Sequence, residues 1–459
     1  MSQKVSFSSV ISNHGFRYLW FNQILVQLSY NALNFALIIW VYKLTGSNFA
    51  VSAYMLAVFL PAIIFGMFAG VFVDIVDRKK LIILIDLFLA ISFIFFVFIK
   101  RSYPLILVNT FIVNSLAQFF MPSESSSIPM LVSKKQLFLA NSLFSLTLYG
   151  SFMLGFSLGG PVLNHFGINT LFYLGAGLLF LAFILARNLP VIKVSRKAAH
   201  TFGRKVSFSV VGKMLDFTFE EATDTLRFIR GKVSVMTSIG LLSAVQGMVG
   251  ILAVVTPAYL ERVLRIHATD ASYFVMLPLG LGMVSGALLI GRFFQHLPRR
   301  ILVRPAILLA GLMLLLIGLV PFFAQIFQST ELPSYITHPR YFFRAPSLSS
   351  FFAVLAFLTG LATVAIIIPS QTALQENTPE ADRGKIFAFL FVIMTSFSAV
   401  TAVLTGVLAD LLGITPIFVA LGSLIFLLGL ISLRPDLFFR QGKLPFRIQE
   451  FLGLGHWER

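Results

Sequence analysis

The sequence predicts an all-α membrane protein whose twelve transmembrane helices form two pseudo-symmetric six-helix bundles. Three observations predict it. The composition is too apolar for a surface in water, twelve apolar runs have membrane-spanning length, and a short motif near the first loops recurs in the second half at constant offset.

The composition is the broadest constraint. Of 459 residues, 58% are hydrophobic and only 12% charged, about half the charged fraction usual in soluble domains. A mean hydropathy of +0.90 leaves too few polar groups to cover a soluble fold, so most of the chain belongs in lipid. The 51 Phe against 3 Trp suit lipid-facing helices, because a phenyl ring needs no hydrogen-bond partner. No cysteine is present, which excludes disulfides and thiol chemistry and removes a soft metal ligand. No metal and no cofactor is expected. No G-x-x-x-x-G-K-[ST] segment occurs, which speaks against an ATP-driven pump within this chain. The net charge of +17 fits the basic cytoplasmic loops of membrane proteins. Nucleic acid is not an expected partner, because no basic stretch is interleaved with stacking aromatics outside the spans. The first fifteen residues are polar and lack a signal-peptide core, so the first span is expected to stay.

A span needs about 20 apolar residues. Those expected are span 1, 17–42; span 2, 49–74; span 3, 81–99; span 4, 104–126; span 5, 137–164; span 6, 168–186. In the second half they are span 7, 233–260; span 8, 272–297; span 9, 301–323; span 10, 350–373; span 11, 384–411; span 12, 415–433. The domains read as an N-terminal bundle, 1–186, a linker, 187–232, a C-terminal bundle, 233–434, and a tail, 435–459. An even number of spans puts both termini on one side. With that side cytoplasmic, only Lys43, Lys100, Arg101, Arg262, Arg265, Arg340 and Arg344 lie outside, seven of 35 basic residues. This asymmetry predicts cytoplasmic termini in a cell membrane. In the linker, Lys193, Arg196, Lys197, Arg204, Lys205 and Lys213 suit anionic headgroups. Phe219, Ala222, Leu226 and Ile229 recur there at helical spacing and predict an amphipathic helix on the inner surface.

The recurring motif sits at the inner end of span 2: Gly70, Asp74, Asp77, Arg78, Lys79 and Lys80. Gly291 and Arg299 repeat Gly70 and Arg78 at the inner end of span 8, each displaced by 221 residues. Gln295 stands where the acid would be, so the second copy keeps the spacing and loses the charge. A second echo links Pro122, Ser123 and Glu124 in span 4 to Pro369, Ser370 and Gln371 in span 10. Parallel repeats of this kind are a transporter design.

The first motif resembles the loop 2–3 signature of the major facilitator superfamily, G-x-x-x-D-x-x-[GD]-R-[RK]-[RK]. Within that superfamily the chain is similar to the drug- and macrolide-efflux branch that includes siderophore exporters. Phe16 to Trp20, Leu44 to Ser47, Ile128 to Val132, Leu139 to Leu143 and Gln375 to Lys385 carry that likeness in order. The resemblance implies a secondary-active transporter working by alternating access on a small-molecule substrate. It also implies a cytoplasmic latch. In it Asp74 sits near the N-terminus of span 11, and Arg78 bridges to an acid at the inner end of span 4, for which Glu124 is the candidate. Asp86, about one turn inside span 3, is placed to pair with the basic run at Arg78.

The chain departs from the family in places. The antiporter pattern of span 5 is met by Gly155, Gly159 and Gly160, but Phe156 replaces its proline. These glycines, with Gly291, also suit close helix packing. The acid that the exporter branch often carries midway along span 1 is absent from Gln27 to Asn31. Proton coupling, if present, falls to Glu124 or Asp86. Gln23, Gln27, Asn31 and Asn34 share one face of span 1, with Asn114 and Gln118 in span 4 and Gln246 in span 7. Polar groups at membrane depth turn to a cavity or a partner helix, and these seven are the expected substrate cavity. Lacking fixed charge, such a cavity favours neutral, amphipathic or weakly cationic molecules. The reading is an exporter acting as a monomer. The alternatives are a facilitator-fold importer or a lipid flippase. A polytopic membrane enzyme is disfavoured, because the acids and histidines of the outer loops are scattered.

Overall fold

In lipid every backbone polar group must be satisfied within the chain, and the apolar runs meet that demand as helices. The computed structural model describes residues 7–133, 135–190, 223, 226–229, 231–263, 267–294, 299–328, 348–378 and 383–433. Most of the linker, the outer loop after span 9, Gln295 and the tail lie outside the described residues. Of the expected amphipathic helix only residues near Leu226 and Ile229 are described, and both are helical.

After a short turn of helix at Phe7–Ile11, the helices are α1, His14–Thr45; α2, Asn48–Ile75; α3, Arg78–Ile99; and α4, Tyr103–Leu131. Residues Leu137–Arg187 form two helices, α5 and α6, that meet at Gly167, whose φ of 78° and ψ of 168° lie outside the helical region and whose φ no side-chain-bearing residue adopts readily. The second half contains α7, Val233–Ala258; α8, Leu277–Leu289; α9, Arg299–Gln328; α10, Leu348–Glu376; α11, Arg383–Leu412; and α12, Ile414–Leu433. Among the described residues no strand occurs, and eleven helices are long and apolar enough to cross a membrane. One of them, Leu139–Arg187, has 49 residues, length for two crossings of about 20 residues. Spans 5 and 6 are therefore separate helices that meet at Gly167, between the expected ends at 164 and 168, and one glycine makes the whole turn. Within span 8, α8 is flanked by wider π turns at Ser272–Met276 and Ile290–Phe294.

Helix ends are set by side chains. Asn13 caps α1 by accepting from the Phe16 amide and donates through Nδ2 to the Leu131 carbonyl at 2.6 Å. Gly46, at φ 67°, closes the far end of α1. Asp77 caps α3 by accepting from the Lys80 amide at 3.2 Å.

The chain divides into two units, residues 1–46 with 53–224 and residues 47–52 with 225–459. Within unit 1, α1 packs on α5 and α3 on α6. Gly155 and Gly159 let α5 reach the α1 backbone. A Cβ at Gly155 would lie 2.7 Å from the Asn31 Cβ, and one at Gly159 would lie 2.9 Å from the Phe35 ring. Gly175 of α6 receives the Phe93 ring of α3, and Phe96 stacks on Phe172 at 5.4 Å. Within unit 2 the equivalent pairs recur, α7 with α11 and α9 with α12. Here Gly250 on α7 meets Ser398, while Gly311 and Gly422 bring α9 and α12 together. The repeat read in the motif thus extends to helix pairing.

Candidate functional site

The polar face of α1 forms in unit 1 because α1 is flanked by helices that offer hydrogen bonds at its depth. Asn34 Nδ2 donates to the Tyr30 carbonyl at 3.0 Å, and Tyr54 Oη from α2 donates to Asn34 Oδ1 at 3.1 Å. Tyr30 Oη donates to Asn114 Oδ1 on α4, and Asn114 Nδ2 donates to the Thr110 carbonyl at 2.8 Å. Two of the sequence candidates, Asn34 and Asn114, thus join one neutral network through two tyrosines. Tyr54 is fully buried and Tyr30 half-buried. Sequence reasoning passed over both. The available signal was a phenol at membrane depth, which needs a partner.

The other candidates are placed differently. Asn31 Nδ2 donates back to the Gln27 carbonyl at 2.8 Å, and the Asn31 side chain faces Gly155. Gln23 Nε2 reaches the Phe144 carbonyl of α5 at 3.4 Å, a marginal bond. This part of the face is closed against α5. Gln118, one turn beyond Asn114, is half-buried. Gln246 lies in unit 2, where its carbonyl accepts from Ser398 Oγ at 3.0 Å and the Gly247 carbonyl accepts from Thr401 Oγ at 3.1 Å.

A second polar site in unit 1 is fully sealed. Asn22 Nδ2 donates to Asp86 Oδ2 of α3 at 2.6 Å and to the Ala182 carbonyl of α6 at 2.9 Å. A carbonyl only accepts, so Ala182 fixes which edge of the Asn22 amide faces Asp86. Asn22 and Asp86 are 0% exposed and Glu124 3%. Asp86 Oδ1, Asn22 Oδ1 and Glu124 Oε1 have no hydrogen-bond partner. The register of α3 and α4 is antiparallel, with Asn109 Nδ2 on the Ser92 carbonyl at 2.9 Å and Arg78 Nη1 on the Ser126 carbonyl at 3.2 Å. Side chains lean towards the N-terminus of their own helix, so Asp86 and Glu124 lean towards each other.

After the C-terminal end of α2, Asp77 is taken up as the cap of α3. Arg78 is buried and reaches α4 two residues from Glu124, while Lys79 is half-buried. The Asp74 side chain lies outside the described residues. A Cβ at Gly70 would meet nothing within 4 Å, so that glycine fills no tight contact here. Gly160 is buried in α5 and Gly291 lies in the π turn after α8. In unit 2, Arg299 pairs with Glu376, joining the second motif copy to the C-terminal end of α10. Among the described residues no group of three His, Asp or Glu side chains is placed to hold a metal ion.

The chain is similar in sequence or fold to known transporters. An uncharacterized MFS-type transporter of Bacillus subtilis, YfiS, is 23% identical over 85% of this chain and 86% of its own. Macrolide efflux protein A of Streptococcus pyogenes is 24% identical over 90% of this chain and 94% of its own. The crystal structure of the POT family transporter PepTSo superposes with a TM-score of 0.66 at 13% identity, over 94% of this chain and 99% of that one, which shows the fold. The sequence pattern of the Major Facilitator Superfamily matches residues 19–336. With its helical bundles, its repeat and that match, the chain belongs to the Major Facilitator Superfamily and is a multi-pass membrane transporter.

Proposed function

We propose that this transporter exports hydrophobic or amphipathic small molecules from the cytoplasm across the cell membrane by alternating access, as a monomer with both termini inside. The observation that carries the reading is the match to a macrolide efflux protein along nine-tenths of the chain. The chemistry of unit 1 supports it, since the Tyr30–Asn114–Asn34–Tyr54 network has hydrogen bonds to exchange and no fixed charge to reject an apolar cation. Protons are the proposed coupling ion, held by Asp86 and Glu124, which makes the chain an antiporter. Asp74, Arg78 and Glu124 are proposed as a cytoplasmic latch that forms when the inner side closes and breaks when it opens.

The test is expression in a cell stripped of its own efflux pumps, scoring intracellular macrolide and lipophilic dye with and without a protonophore. Lower accumulation that the protonophore reverses is the expected result. Raised accumulation would make the protein an importer, and no change across the panel would remove the export reading. Within the network, Tyr30→Phe leaves the Asn114 carbonyl without its donor. A lost hydrogen bond in a membrane interior is worth about 0.6 kcal/mol, so the KM for export is expected to move about threefold with protein yield unchanged. An identical KM in purified vesicles would place Tyr30 outside the transport path.

A further inference from the structure

Asp410, on the last turn of α11, has no role in the reading above, yet both its carboxylate oxygens are engaged. Oδ1 accepts from the Asn48 amide at 3.0 Å and from Asn48 Nδ2 at 2.8 Å. Oδ2 accepts from the Phe49 amide at 3.0 Å and from Ser47 Oγ at 2.8 Å. The first amides of a helix lack partners within it, and the positive end of its dipole attracts an anion. Asp410 of α11 therefore caps the N-terminus of α2. One turn earlier, Gly406 brings the two backbones into contact: a Cβ there would lie 2.3 Å from Ser52 Oγ and 2.9 Å from the Asn48 carbonyl. Gly406 and Asp410 are four apart on α11, as Asn48 and Ser52 are on α2, so each pair occupies one helix face.

The division of the chain gives this contact a consequence. Residues 47–52 fold with unit 2, while the rest of α2 folds with unit 1. Because α2 is one unbroken helix, its first turn must be released from Asp410 whenever α2 moves as a piece with unit 1. We propose that Asp410 and Gly406 form a releasable clasp that holds the first turn of α2, the end of that helix opposite the Asp74 motif. The arrangement is reciprocal to the latch under Proposed function, on which this comparison rests. Asp410 lies at the C-terminal end of α11 and engages the N-terminus of α2, and the latch proposed above would set Asp74, at the C-terminal end of α2, against the N-terminus of α11. Weakening one end favours the state closed at the other.

The natural chain has no cysteine, so single reporters read without background. Ser52, 0% exposed beside Gly406, takes Ser52→Cys with little change in volume. In proteoliposomes, Asp410→Ala is expected to raise maleimide labelling at that reporter at least threefold. In a separate chain carrying Phe49→Cys and Leu411→Cys, it is expected to slow cross-linking to a similar degree. Asp410→Glu should restore much of both. Unchanged labelling and cross-linking in monodisperse Asp410→Ala protein would overturn the clasp. Asp74→Asn separates the two readings. If it lowers Ser52→Cys labelling, the reciprocal arrangement stands. If it has no effect while Asp410→Ala labels faster, the clasp stands and the inner latch falls. If it raises labelling as Asp410→Ala does, reciprocity is overturned.

Discussion

Gly155→Leu is expected to stop unit 1 from folding. The Cβ alone would sit 2.7 Å from the Asn31 Cβ and 3.0 Å from the Ala32 amide nitrogen. Two of the nearest atoms belong to backbone, so no rotamer change makes room and α1 must move away from α5. Overpacking in a well-filled interior costs about 1–3 kcal/mol even where side chains yield, and a rigid helix surface yields less. Native proteins have only about 5–15 kcal/mol to lose. The control is Gly177→Leu on α6, where a Cβ meets nothing within 4 Å. Fluorescence-detected gel filtration and a thermal ramp in detergent should show Gly155→Leu aggregated or melting well below the wild type, with Gly177→Leu close to it. Equal profiles for the two variants would show that the α1–α5 contact contributes little to folding.

The contrast between these glycines shows how far the sequence could be read. The spans were legible because lipid imposes a length and an apolarity that no other environment demands, and α1 to α4 fall within a few residues of expectation. Gly155 and Gly159 were legible as a packing face because their spacing of four repeats along one side of a helix. The boundary between α5 and α6 was legible as the gap between 164 and 168, but not that a single positive φ at Gly167 makes the whole turn. The candidate site was half legible. Asn34 and Asn114 stood out as amides in apolar runs, but Tyr30 and Tyr54, which connect them, looked like ordinary aromatic residues. Asn22 was missed because it lies next to Gln23 in sequence and about 100° around the helix from it, off the stripe that drew attention. Asp410 was visible as an acid near a span end, but its partner at Asn48 is 362 residues away, a separation that local spacing does not report.

On the proposed proton-coupled reading, Asp86→Asn is expected to uncouple export from the proton gradient while leaving the protein folded. The substitution keeps the shape of the carboxyl and an acceptor for the Asn22 amide, which Ala182 holds in place at 2.9 Å. What it removes is the proton-binding oxygen. An ionisable residue sealed between membrane helices is costly to retain without use, and Asp86 is 0% exposed with one oxygen unpartnered. Such a carboxyl can exchange a proton only when the helices around it part, and that restriction is what coupling to a conformational cycle needs. Coupling energies of about 1–3 kcal/mol correspond to 5- to 150-fold effects. Gradient-driven efflux in vesicles should therefore fall at least about tenfold in Asp86→Asn, while substrate binding measured without a gradient should stay within about twofold. Glu124→Gln should behave alike. The double substitution should be no worse than either single one, since two groups serving one proton-transfer step do not add. Full gradient-driven efflux in Asp86→Asn would leave the buried pair a purely structural role, with Asn22 and Asp86 tying α1 to α3. Strictly additive losses would assign the two acids to separate steps.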